Sequence, residues 1–244
     1  MDYRDSHLNR GGDYDQTLAA SAFDAYMARW EAQRVEEIMR SRFPRGIERY
    51  LDFACGTGRI TAVIEPHARE CVGVDISTTM LETARSKIPG ARFVQADLTK
   101  DECSLGSFDL VSSFRFFGNA QGELREKVLG VLEGLVAPGG YLLVNNHRNP
   151  RAIAHLLLGA TGEDHGMDLT HSGLKALLAR FGFELMLSRP IGVWKFRGKL
   201  MNEPLHDPAR EERMERIFGA SFLAPIAPDT VYLFRRTGKR PAVA

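Results

Sequence analysis

The chain has 244 residues, 44% hydrophobic and 26% charged, with 32 Lys and Arg against 31 Asp and Glu. That apolar content is enough for a packed core and excludes a chain disordered throughout. The near-neutral balance gives no electrostatic ground for a nucleic acid or an anionic membrane as partner, and no run approaches the roughly 20 apolar residues of a membrane span.

The length fits one α/β domain better than two. Cys55, Cys71 and Cys103 cannot all pair and match no zinc-ligand spacing, so the expectation is reduced thiols in a cytoplasmic protein. The opening MDYRDSHLNRGGDYDQ has no apolar stretch of the secretory kind. Residues 1–18 are polar and contain glycine, which predicts a flexible arm able to order over a ligand. Over residues 19–43, Phe23, Met27, Trp30, Val35, Ile38 and Met39 recur at helical spacing. One amphipathic helix follows as the expectation, a helical cap on a single domain of residues 19–244, ended before Pro44.

Short apolar runs then alternate with helical patterns. Strands are predicted over residues 50–55, 71–76, 92–96, 108–114 and 141–146, with helices over 59–67, 78–88 and 123–137 between them. This alternation implies a mostly parallel, doubly wound sheet with helices on both faces, an α/β/α sandwich. Runs such as Cys71-Val72-Gly73-Val74 suit strands buried on both faces. Pro89-Gly90 and Pro138-Gly139-Gly140 stand where helices must stop. Later, a helix over 172–181 and strands over 183–187 and 230–234 frame a long excursion, about 190–228, read as a lid-like insertion. Its helix is expected to open at Asp207-Pro208.

The chemistry-bearing segment is Leu51-Asp52-Phe53-Ala54-Cys55-Gly56-Thr57-Gly58-Arg59, between the first strand and its helix. Gly56 and Gly58 let the backbone turn sharply and approach a ligand, and a helix start offers free N–H groups. Asp75 ends the second strand about twenty residues later, the offset at which a carboxylate meets a ribose. Asp97 ends the third strand, where it can accept a hydrogen bond from an adenine amine. Each acid alone is equally a helix cap or a solvated loop end. Three successive strands delivering suitable groups to one edge make a stronger case together.

These residues resemble the class I S-adenosylmethionine-dependent methyltransferase family, whose first motif, acid-x-Gly/Ala-x-Gly-x-Gly, reads here Asp52-Phe53-Ala54-Cys55-Gly56-Thr57-Gly58. The resemblance covers residues 49–146 closely and the rest loosely. It implies a Rossmann-like fold with a C-terminal antiparallel strand pair, and S-adenosyl-L-methionine as cofactor. By position, Asp75 would hold the ribose, Asp97 the adenine amine, and Ala54 through Gly58 the methionine portion, with Asp52 opening the motif. Ile76 and Leu98 would sandwich the adenine, and Phe114 would stand beside the methionine end. The implied activity is methyl transfer to oxygen or nitrogen of a small-molecule acceptor: a metabolite, a sugar or a natural-product intermediate.

His147 is the candidate general base, its alternative being a histidine bonded to backbone at a strand end. Arg115 could bind an acidic group on the acceptor or pair with a surface carboxylate. His155, His165 and His171 show no metal-ligand spacing. Trp194-Lys195-Phe196-Arg197-Gly198-Lys199 interleaves aromatics and bases, as an RNA-stacking surface or a packed lid would; the whole-chain charge favours the lid. The Asp/Asn-Pro-Pro-aromatic pattern of enzymes that methylate DNA amines is missing after the fourth strand, where Ser113-Phe114-Arg115-Phe116 stands. Two other readings stay open: an NAD(P)-dependent dehydrogenase, in which Thr61 replaces the third small residue and Asp52 would face a pyrophosphate, and a non-catalytic cofactor-binding module supporting a partner.

Overall fold

The computed structural model describes residues 14–101, 103–153, 155, 168–194, 207–219 and 222–238. The apolar runs form strands β1 (Ile47–Phe53), β2 (Ala68–Asp75), β3 (Arg92–Gln95), β4 (Phe108–Ser113) and β5 (Val136–Asn145), with β6 (Phe183–Ile191) and β7 (Asp229–Arg236) behind them. All seven share one sheet in the order β3-β2-β1-β4-β5-β7-β6. The first five pair in parallel, whereas β7 is inserted antiparallel between β5 and β6. The strand order reverses between β1 and β4, which opens a crevice at the carboxyl edge of the sheet, where such folds bind ligands.

The helices are α1 (Tyr14–Ala20), α2 (Ala22–Arg42), α3 (Thr61–Ile64), α4 (Thr78–Lys87), α5 (Gly122–Leu135), α6 (His171–Arg180) and α7 (Pro208–Gly219). Strand alternation sends neighbouring side chains to opposite layers. Leu51, Val111 and Leu142 face Leu129, Leu132, Leu174 and Leu178 on α5 and α6. Tyr50, Leu110 and Leu143 face Trp30, Ile38 and Met39 on α2. The sheet is thus covered on both faces, with α2 supplying most of one cover.

Local chemistry moved several boundaries. The single helix expected over 19–43 breaks at Ser21, whose hydroxyl accepts the Asp24 N–H at 3.2 Å and so caps α2. Such a side chain competes with helix continuation. Residues 14–18, expected in the arm, belong to α1; the remainder of the arm, 1–13, lies outside the described residues. The helix expected over 59–67 shortens to α3 and a 3-10 turn, Glu65–His67, because Pro66 has no N–H for a longer ladder. Strand β5 starts at Val136, which pairs with Phe108 before a bulge carries the strand across the Pro138-Gly139-Gly140 turn signal.

Part of the expected lid, residues 195–206 and 220–221, lies outside the described residues, and most of the Trp194 to Lys199 segment with it. The described part is pinned by Glu215 of α7. Its buried carboxylate accepts Tyr26 Oη–H at 2.9 Å, the Gly192 N–H at 2.6 Å and the Trp194 N–H at 3.3 Å. Trp194 stacks on Phe218 with ring centroids 5.1 Å apart. Among the described residues no helix is long and apolar enough to cross a membrane.

Trp30 is fully buried where α2 meets the sheet. Truncation there leaves a large cavity, so Trp30→Ala should lower stability by about 3–5 kcal/mol, and Trp30→Phe by much less. Urea unfolding of the three proteins measures this; equal midpoints would mean that α2 is not packed as described.

Candidate functional site

The turn after β1 forces the backbone into the left-handed region at Ala54 (φ 56°), Gly56 (φ 55°) and Gly58 (φ 77°). A side chain at Gly58 would meet Ile88 Cδ1 at 2.7 Å and Ala84 Cβ at 3.2 Å, so glycine there lets the turn pack on α4. The Gly56 N–H donates to Asp75 Oδ2 at 2.8 Å, and the Ser77 N–H donates to Oδ1 at 2.9 Å. Asp75 thus ties the bend to the end of β2. Helix α1 also reaches the bend: Thr57 Oγ1 donates to Asp15 Oδ1 at 2.8 Å, and Asp15 pairs with Lys87.

Asp52, Ala54, Gly56, Asp75, Ile76, Asp97, Leu98, Phe114 and Arg115 all line one cavity at the carboxyl edge of the sheet. Counted with its open mouth, the space between these walls is about 1050 Å³. Gly58 lies just outside the lining, turned toward α4. Asp97 Oδ1 accepts from the Thr99 N–H at 3.1 Å and from Thr99 Oγ1 at 2.7 Å, which orients the carboxylate at the end of β3. Asp52 is buried at the cavity floor, where Ser112 Oγ donates to Oδ1 and Thr61 Oγ1 to Oδ2, each at 2.6 Å. Burial raises its pKa to about 6, against the pull of those two hydroxyls and of Arg59.

At the other end of the cavity stands Arg115, itself in the left-handed region (φ 55°). That conformation costs an arginine roughly 1–3 kcal/mol and persists only when its surroundings hold it. Here three side chains do so. Asn145 Oδ1 accepts the Arg115 N–H at 2.7 Å, Asn119 Nδ2 donates to its carbonyl at 2.7 Å, and Glu31 accepts from Nε at 3.2 Å and Nη2 at 3.3 Å.

Glu31 is fully buried on α2 and also pairs with Arg59 Nη1 at 2.6 Å. Burial opposes its charge, but the guanidinium groups of Arg115 and Arg59 hold its pKa well below the ordinary range. Asn145 Nδ2 donates both to Glu31 Oε1 at 3.1 Å and to Asp229 Oδ2 at 3.0 Å. Burial, followed by the neighbouring charge of Glu31, pushes the Asp229 carboxyl well above the usual carboxylate range. Glu31, Asn145 and Asp229 were missed from sequence. The signal for Glu31 was a charge on the apolar face of its helix, one turn from both Met27 and Val35.

His147 does not line the cavity. Its half-buried ring packs beside Gly118, its Nδ1 is sealed from solvent, and burial followed by the charge of Arg115 lowers its pKa to about 3. His171 Nε2 donates to the Ala227 carbonyl at 2.9 Å, and His171 does not line the cavity. Among the described residues, no three His, Cys, Asp or Glu side chains group as metal ligands; His165 lies outside them.

The Asp52 shift makes a pH prediction. With a folded-state pKa above the ordinary 3.8, the folded protein holds this proton more tightly than the unfolded chain. Its contribution to stability is therefore full below about pH 4 and is lost as pH rises through about 6, a change on the order of 2–3 kcal/mol. Asp52→Asn should flatten that part of the curve in urea melts at pH 4, 5, 6 and 7. Parallel curves for the two proteins would contradict the assignment.

Residues 51–140 match the family model of a methyltransferase domain. The trans-aconitate 2-methyltransferase of Sinorhizobium fredii is 34% identical over 127 residues, 50% of this chain and 47% of that protein. The demethylmenaquinone methyltransferase of Thermus thermophilus is 34% identical over 140 residues, 54% and 59% of the two chains. The chain thus spans roughly half to three fifths of the length of these relatives. In fold it is similar to magnesium protoporphyrin IX methyltransferase from Synechocystis, solved with bound S-adenosylhomocysteine. The TM-score is 0.65 over 96% of this chain and 97% of that one, at 14% identity. The domain match falls on the strands and turn that build the cavity, and the seven-stranded sheet is similar to the Synechocystis fold along nearly its whole length.

Proposed function

We propose that this chain is an enzyme that binds S-adenosyl-L-methionine in the cavity and methylates an oxygen or nitrogen of a small acceptor molecule. The observation that carries the reading is the convergence of Asp75, Asp97 and the bend at Gly56 on one cavity. The donor set suits the cofactor: carboxylates for ribose hydroxyls and an adenine amine, apolar Ile76 and Leu98 for the base, and a glycine bend for the amino-acid portion. When bound, the cofactor supplies a methyl group already made electrophilic by a cationic sulfur. What the chain adds is position: an acceptor held in line, in a site closed to water, gains much of the acceleration from orientation alone.

A small acceptor is supported by the relatives' names, which give trans-aconitate and demethylmenaquinone as their substrates. In this reading α2 and the insertion about 190–228 shape the acceptor side and Arg115 faces the acceptor, while His147, the candidate base, stands outside the cavity lining. A cytoplasmic location belongs to the same reading, supported by the free thiols of Cys55, Cys71 and Cys103. A dehydrogenase reading fares worse, because the Asp52 carboxylate on the cavity floor would repel a pyrophosphate.

S-adenosylhomocysteine, at about 100 times its dissociation constant, should stabilise the protein by about 2.7 kcal/mol in a thermal-shift experiment, while NAD(P) should not. Asp75→Ala should abolish most of that shift. Stabilisation by NAD(P) instead, or an unchanged shift in the variant, would overturn the reading.

A further inference from the structure

Strand β6 is an edge of the sheet, joined to β7 on one side only. An open edge leaves backbone N–H and C=O groups able to pair with another strand, and chains usually blunt it with a mid-strand charge, a proline or a short length. Here β6 runs nine residues, its Pro190 stands next to the end, and its centre is the apolar run Leu185-Met186-Leu187. Leu185 and Met186 are exposed. The other large apolar side chains exposed among the described residues are Ile217 on α7 and Phe222 just beyond it. Helix α7 packs on β6, so closely that a side chain at Gly219 would stand 3.4 Å from the Pro190 carbonyl oxygen. The exposed apolar side chains thus gather about one edge of the molecule.

Two opposite charges flank that apolar centre, Glu184 before it and Arg189 after it, and neither makes an ion pair among the described residues. Arg189 Nη1 donates to the Ser188 carbonyl at 3.0 Å. On a regular strand, residues five apart point to opposite faces. The bulge between Leu185 and Leu187 adds one residue, so that Glu184 lies opposite Arg235 and Arg189 opposite Val231, two β7 positions that share a face. Glu184 and Arg189 therefore project on the same side of the sheet, the side on which Val231 packs with the residues of α2.

We propose that two copies of this chain join through β6, edge to edge and antiparallel, about a twofold axis that passes between Met186 and Leu187, so that each Glu184 meets the Arg189 of the other copy. A twofold contact uses one surface twice, and a strand whose opposite charges stand equally far from its centre is its own complement. Residues opposed in an antiparallel pair point to the same side, a second condition that the bulge satisfies for Glu184 and Arg189. The pairing gives two ion pairs, partners for the open N–H and C=O groups, and cover for Leu185 and Met186. Ile217 and Phe222 bring further apolar surface to the flank where α7 packs. It is this self-complementarity that selects a second copy over a different partner. The inference goes beyond the methyl-transfer reading and does not depend on it, since β6 contributes no residue to the cavity lining.

Sedimentation velocity of the full chain, from micromolar to near-millimolar concentration, should show a monomer–dimer equilibrium. Glu184→Arg and Arg189→Glu each turn two attractions into two repulsions, and each should weaken the dimer by roughly tenfold or more. Both changes together restore opposite charges and should return the dissociation constant close to its original value. Met186→Lys sets two cations beside the axis and should leave a monomer at every concentration. Circular-dichroism melts of the four variants check that each stays folded, as exposed Glu184 and Met186 and half-buried Arg189 allow. An unaltered chain that stays monomeric, a dimer unmoved by either single reversal or by Met186→Lys, or a double reversal that fails to restore the dimer would each overturn the inference.

Discussion

An ionised carboxylate cannot sit in an apolar layer without partners, because stripping its water costs several kcal/mol. Glu31 sits in such a layer, on a helix whose other inward residues include Met27, Trp30 and Val35. The charge is met by Arg59 from the glycine turn, Arg115 from the end of β4, and Asn145 from the end of β5, with Asp229 from β7 joined through the same amide. One buried charge therefore brings a helix, a turn and three strand ends to one point. Asn145 is the economical part of the arrangement. Its amide nitrogen serves both carboxyl groups while its oxygen holds the strained Arg115 backbone.

From that point the cavity divides along the line where strand order reverses. On the β2 and β3 side the strand ends present acids: Asp75, held by N–H groups of its own loop and of the glycine turn, and Asp97, held by Thr99 of its own loop. On the β4 and β5 side they present guanidinium groups and amides. The two halves differ in charge because their partners differ: loop N–H groups stabilise carboxylates, and a buried glutamate recruits arginines. The apolar layers beneath, one on α5 and α6 and the other on α2, hold the two halves at a fixed separation.

Much of this was legible in the residues. Strand runs stood out because burial on both faces demands continuous apolar stretches, as in Cys71 to Val74, and helices because their apolar positions recur every three or four residues. Asp75 could be found by its offset from the glycine turn, since one crossover of strand and helix has a nearly constant length. The failures had local causes. Ser21 divides one helix by capping the second part, Pro66 cuts another short, and β5 runs through a turn signal because Val136 finds a partner in Phe108. His147 was singled out by residue type and by its place after a strand, but its ring packs beside Gly118 and outside the cavity lining, which sequence order does not reveal.

The sequence by itself determined the fold class, the order of the parallel strands' appearance, the glycine turn and the acids at two strand ends. Each is written as a short-range pattern of period, spacing or turn chemistry. Only the tertiary structure decided that β7 enters between β5 and β6, and that Glu31 meets Arg115 and Asn145, 84 and 114 residues away. Such meetings depend on which surfaces close against each other and on the need to neutralise a charge once buried, and neither condition leaves a periodic mark along the chain.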